Sequence, residues 1–153
     1  MLFLRTPLSL LTALVFGLSG LQAAHSADAP DATLQAAARE PGAVVTASGL
    51  VYRALKEGSG ISPKASDTVK VHYRGSFPNG KEFDSSYQRY QPIEFPLSRV
   101  IPCWTEGVQR MKVGGSAKLT CPSAIAYGKR GAGGVIPPDA TLVFEVELLD
   151  VRR

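Results

Sequence analysis

Three segments alternate strictly between apolar and polar side chains, and this period of two restricts the fold more than any other feature. In residues 68–75, Val69, Val71 and Tyr73 fall on one face, and Lys70, His72 and Arg74 on the other. Ala117, Leu119 and Cys121 share a face of residues 116–122, as do Leu142, Phe144, Val146 and Leu148 of residues 141–151. Successive strand side chains point to opposite sides, so each segment reads as a strand with one buried face. Tyr73 and Cys121 are therefore expected to point inward and His72 toward water. Shorter strands are expected at residues 49–55, at 81–86 after the turn Pro78-Asn79-Gly80, and at 92–97, bounded by prolines as an edge strand.

One helix interrupts this pattern, in residues 100–111, which hold the only tryptophan, Trp104. Pro102 is tolerated in or just before a first turn, and Thr105 and Glu106 are candidate caps. Val108 and Met111 lie three apart on one face, and Gly114-Gly115 is the expected stop. Several strands with one short helix exclude a doubly wound sheet, which needs a helix after nearly every strand. The economical arrangement is an α+β domain: one antiparallel sheet curled over one helix, with Trp104 at the helix mouth.

The first residues follow another rule. A charged start ending at Arg5, an apolar run from Leu8 to Leu18 and small residues at Gly20, Ala23, Ala24, Ser26 and Ala27 form the pattern of a secretory signal peptide. The run is short of the roughly 20 apolar residues a membrane span needs, so no stable membrane insertion is expected after cleavage. The expected organisation is residues 1–26 signal peptide, 27–48 flexible segment with little structure of its own, and 49–153 folded domain. Cleavage would remove Arg5 and no acid, lowering the net charge from +4 by one; scattered charge of this size does not suggest nucleic acid. Export to the periplasm or beyond bears on Cys103 and Cys121: a structural disulfide and two buried free thiols are both open, and neither cysteine stands in a CxxC motif or at metal-ligand spacing.

The apolar residues Tyr73, Phe83, Ile93, Val100, Ile101, Trp104, Tyr127 and Phe144 come from six separate segments. Asp84 follows Phe83, placing a carboxylate beside an apolar cluster; Tyr127 precedes a glycine at the base of a long loop, and Val135 and Ile136 lie at its far end. An apolar cleft with few placed polar groups is the general form of a small-ligand site.

Val71-His72-Tyr73-Arg74-Gly75, Gly80-Lys81-Glu82-Phe83-Asp84-Ser85-Ser86, Val100-Ile101-Pro102-Cys103-Trp104-Thr105-Glu106-Gly107-Val108, Ala126-Tyr127-Gly128 and Ile136-Pro137-Pro138 resemble the FK506-binding-protein (FKBP) family of peptidyl-prolyl cis–trans isomerases, most closely its exported bacterial members. The resemblance runs from about Gly49 to Val151. It implies a curved five- to six-stranded antiparallel sheet wrapped around one short helix. It also implies a non-covalent, cofactor-free and metal-free site that accelerates rotation about X–Pro bonds. The implied substrate-binding residues are Tyr73, Phe83, Asp84, Ile93, Val100, Ile101, Trp104, Tyr127, Val135, Ile136 and Phe144, with Trp104 as floor. Asp84, Tyr73 and Tyr127 are the implied catalytic residues, and the Ile101 N–H and the Tyr127 hydroxyl would bond ligand carbonyls. The sequence departs from the family at Ile93, Ala132 and Val135 and has a shortened segment before Pro102.

The expected partners are proline-containing unfolded or partly folded polypeptides, with FK506- or rapamycin-like macrolides as implied inhibitors. A second reading of the same pocket is a proline-peptide-binding chaperone module with little turnover. Many exported relatives carry a long helical dimerisation arm; residues 27–48 are too short for one, so a monomer is expected.

Overall fold

The computed structural model describes residues 31–153, and the expected signal peptide and cleavage region fall outside them. Seven strands form one antiparallel sheet: β1 (Ala43–Val45), β2 (Val51–Lys56), β3 (Thr68–Ser76), β4 (Glu82–Ser85), β5 (Ile93–Pro96), β6 (Ser116–Cys121) and β7 (Leu142–Arg152). Their order is β1-β2-β6-β7-β3-β4, with β5 also paired to β3. There are two α-helices among the described residues, α1 (Ala32–Ala38) and α2 (Pro102–Gln109).

The expected architecture stands, with seven strands where five or six were expected, and the added β1 corrects the reading of residues 27–48. From Asp31 onward this segment is not a tether. Asp31 caps α1 by accepting from the Thr33 N–H at 2.8 Å and also accepts from the Thr141 hydroxyl. Glu40 then bonds Arg53 at 2.8 Å and Lys118 at 2.7 Å, and β1 pairs with β2 in the register Ala43↔Arg53. Alanine-rich composition suggested disorder because the partners that hold the segment lie far away in sequence.

The alternating segments behave as their period requires. Val69, Val71 and Tyr73 of β3, Ala117, Leu119 and Cys121 of β6, and Leu142, Phe144, Val146 and Leu148 of β7 are all buried. Full burial of the valine, leucine and phenylalanine side chains among them contributes roughly 1.5–3 kcal/mol each. Cys103, Trp104 and Val108 of α2 close the concave face, with Leu50, Leu97 and Met111 around them. At Gly107 a Cβ would come within 2.8 Å of Leu119 Cδ2, so the missing side chain lets α2 lie against β6.

The ends of α2 differ from expectation. Pro102 occupies the first turn, where its absent N–H is no loss, but Thr105 and Glu106 are not caps, and the Ile101 N-cap has no side-chain bond. Thr105 instead donates its hydroxyl to the Leu97 carbonyl at 2.7 Å, tying the helix to the short 3₁₀ turn Leu97–Arg99. The helix stops at Gln109, with Arg110 as C-cap, well before Gly114-Gly115.

A disulfide joins Cys103, in the first turn of α2, to Cys121, at the end of β6. Its Cα atoms are 5.9 Å apart and both residues are fully buried. Of the two states left open for these sulfurs, the bridge is the one adopted.

Candidate active site: an aromatic cleft floored by Trp104

A cleft of about 440 Å³ opens at the mouth of α2, lined by Tyr73, Phe83, Asp84, Phe95, Arg99, Val100, Ile101, Trp104, Tyr127 and Phe144. The floor is the Trp104 indole, only 4% exposed. Three rings meet it edge-to-face: Tyr73 at 5.3 Å, Phe144 at 5.5 Å and Phe95 at 5.6 Å between centroids. Phe83 stands edge-on to Phe144 at 5.7 Å. Edge-to-face pairs are favoured because the positive ring edge meets the negative face, roughly 0.5–1.5 kcal/mol beyond area burial. The indole Nε1–H has no acceptor among the described residues.

Two backbone devices hold the walls. β3 pairs with β5 over Thr68–Val71 and with β4 over Arg74–Ser76, leaving His72 and Tyr73 between the two partners. Ser86 fills that gap: its N–H donates to the Tyr73 carbonyl at 3.0 Å, and its hydroxyl accepts from the Tyr73 N–H at 2.8 Å. His72 is consequently not a solvated strand residue. Its Nδ1 lies 2.9 Å from the Ser86 hydroxyl, and its ring stacks on Tyr87 at 4.6 Å. The second device is Gly75, on the same strand face as Tyr73. A Cβ there would lie 2.6 Å from Phe83 Cζ and 3.0 Å from Phe144 Cε1, so both rings close over it only because it is glycine.

Tyr73, Asp84 and Arg89 form one closed set of polar groups at the wall. The Tyr73 hydroxyl donates to Asp84 Oδ2. Arg89 donates from Nη1 to Asp84 Oδ1 at 2.7 Å and from Nη2 to the Tyr73 hydroxyl at 2.9 Å. Burial by itself would raise the Asp84 carboxyl, but the bonds from Tyr73 and Arg89 prevail and hold it below its ordinary value of 3.8. Burial, reinforced by the bond to Asp84, pushes the Tyr73 phenol up to about 12. At neutral pH the cleft therefore holds a carboxylate and a neutral phenol locked together, with no base free to take a proton. Asp84 thus both holds the Tyr73 phenol and pairs with Arg89.

On the opposite wall, the Ile101 carbonyl accepts from the Trp104 and Thr105 N–H groups at 2.9 and 3.2 Å, while its own N–H has no backbone acceptor among the described residues. Tyr127, 39% exposed, stands at the rim before the 3₁₀ turn Gly128–Arg130.

Eight of the eleven expected binding residues thus meet in one cleft, and three do not. Ile93 borders a separate groove beside Lys70 and Arg89. Phe95, two residues along the same face of β5, reaches Trp104 instead; the period of two allows either residue. Val135 and Ile136 line a neighbouring groove of about 590 Å³, with Val135 exposed and Ile136 buried in the core. Sequence reasoning missed Phe95, Arg99, Arg89 as a double donor, and Ser86. Only Phe95 carried a signal, its shared strand face with Ile93.

The model of the FKBP-type peptidyl-prolyl cis-trans isomerase family matches residues 59–149. This chain belongs to that family. It is 53% identical over 115 residues to the FKBP-type peptidyl-prolyl cis-trans isomerase FkpA of Escherichia coli (strain K12), covering 75% of this chain and 42% of that protein. The crystal structure of FkpA from Escherichia coli superposes with a TM-score of 0.76 at 50% identity, covering 78% of this chain and 55% of that one. A peptidyl-prolyl cis-trans isomerase from Pseudomonas syringae pv. tomato gives 0.74 at 40% identity, covering 79% and 89%. The chain spans less than half the length of the curated FkpA relative. Its FKBP-type region includes every residue of the cleft.

Proposed function

We propose that this chain is a peptidyl-prolyl cis–trans isomerase that accelerates rotation about X–Pro bonds in exported proteins without covalent chemistry. The observation that carries this reading is the aromatic cleft itself, floored by a buried indole and containing no unengaged base. An X–Pro amide rotates in tens to hundreds of seconds because resonance gives its C–N bond partial double-bond character, with a barrier of about 18–20 kcal/mol. Twisting the bond removes that resonance and the charge separation on the carbonyl. A dry aromatic wall disfavours the planar, more polar amide, and an N–H such as that of Ile101 holds the neighbouring chain in place. A thousandfold gain requires only about 4 kcal/mol of differential binding. A pocket of this size is ordinary for a small bound group.

The fixed Asp84–Tyr73–Arg89 set supports a positioning role: Asp84 orients the phenol and sets the local field, and proton transfer is not part of the cycle. Tyr127 at the rim is placed to donate to a substrate carbonyl. Export is supported by the pattern of residues 1–27 and by the Cys103–Cys121 bridge, since disulfides persist in oxidising compartments. The protein acts as a monomer in this reading, with α1 docked on its own sheet through Asp31 and Glu40. Macrolides of the FK506 type would compete for the Trp104 floor.

The experiment is NMR exchange spectroscopy on short Leu-Pro peptides with catalytic amounts of the full chain. Cis–trans exchange should accelerate and be lost in Trp104→Leu. Peptide binding without acceleration would refute the isomerase reading and leave a proline-binding module; a stable dimer by gel filtration would refute the monomer.

A further inference from the structure

The cleft wall carries two charged side chains in opposite situations. Asp84 is engaged by Tyr73 and Arg89. Arg99, at the end of the 3₁₀ turn Leu97–Arg99, lines the same cleft, is exposed to solvent, and makes neither an ion pair nor a hydrogen bond among the described residues. The adjoining groove shares a wall with the cleft, because Phe77 of the groove packs on Phe83 of the cleft at 5.0 Å. Lys81 and Arg130 line that groove, again without ion pairs among the described residues and with no carboxylate in its lining. The mouth of the cleft is therefore positive, with its single carboxylate already neutralised.

We propose, resting on the isomerase reading above, that Arg99 is a specificity-determining residue that favours X–Pro bonds with a Glu or Asp next to the proline. A guanidinium presents several donors in a planar fork matched to a carboxylate. An exposed, unpaired arginine loses little hydration when such a carboxylate arrives and gives up no existing partner. A lysine at the same substrate position meets a like charge. Exposed pairs are weak, so the selectivity is modest: roughly three- to tenfold between a Glu and a Lys peptide at low salt. It is also screened, since the Debye length shrinks from about 10 Å at 0.1 M to about 3 Å at 1 M.

The test uses the full chain and capped pentapeptides with Glu, Leu or Lys immediately before or after proline, with catalysed exchange read by NMR. The expected result is a Glu-to-Lys ratio of kcat/KM of roughly three to ten on at least one flank at low salt, falling toward one in 1 M salt. Arg99→Gln should bring the ratio near one and Arg99→Glu should invert it. Lys64→Glu, an equal charge change outside the cleft lining, should leave it in place. A ratio near one on both flanks, or one that Arg99→Glu and Lys64→Glu shift equally, overturns the proposal while turnover of the Leu peptide keeps the isomerase reading. Failure of the Leu peptide itself overturns the isomerase reading, and this inference with it.

Discussion

Removing the Cys103–Cys121 bridge should destabilise the fold by several kcal/mol, starting at the cleft floor. The bridge spans a sequence separation of 18, and closing a loop of that size restricts the unfolded chain by about 3 kcal/mol. Both cysteines are fully buried, so Cys103→Ala/Cys121→Ala also removes two packed sulfurs, each comparable to a lost methylene at about 0.8 kcal/mol. The double variant should therefore lose about 4–5 kcal/mol, and the reduced wild type about 3 kcal/mol. With m-values of about 1–3 kcal/mol/M, the reduced protein should unfold at a urea midpoint about 1–3 M lower. The assay is built in: the only tryptophan is Trp104, next to Cys103, so its fluorescence reports unfolding of the cleft directly. The three samples to compare are oxidised wild type, reduced wild type and the alanine pair. A midpoint shift on reduction below about 0.5 M with m unchanged would refute the reasoning, because it would mean the sheet and helix hold that loop without the cross-link.

Three further outcomes follow from the cleft and the N-terminal anchor. Gly75→Ala places a Cβ against Phe83 and Phe144, so it should lower kcat/KM at least tenfold while circular dichroism stays that of a folded protein; unchanged kinetics would show that those rings yield freely. The Tyr73 phenol, raised to about 12, should ionise late in an alkaline absorbance titration and earlier in Asp84→Asn, though still above 10 because burial remains. Since its folded value lies above its unfolded one, its contribution to stability is complete below pH 10 and is lost as pH rises toward 12. Asp31, Glu40 and Asp84 are all held below their ordinary values of 3.8, 4.5 and 3.8, so their stabilisation is present above those values and is lost as pH falls beneath them. Urea midpoints should be level from pH 7 to 5 and drop below pH 4, and Glu40→Gln should flatten part of that drop.

The sequence by itself determined which faces of β3, β6 and β7 are buried and that one core helix lies beside Pro102, because a period of two and a proline tolerated in a first turn are local properties of the chain. Val71, Tyr73, Leu119, Phe144 and Trp104 needed nothing more to be placed in the interior. Whether Ile93 or Phe95 reaches the indole was decided by tertiary structure, since both share a strand face and only the position of β5 over α2 separates them. The same holds for Arg89 reaching back to Asp84 and Tyr73, for Ser86 bridging the gap between β4 and β5, and for Glu40 finding Arg53 and Lys118. Side-chain alternation is fixed within a strand, whereas partners across strands depend on register and on turns whose paths the sequence pattern does not specify. A cleft assembled from six segments is legible as a set of inward residues, but its rim, where Arg99 stands free and Val135 turns away, exists only once the sheet has curled.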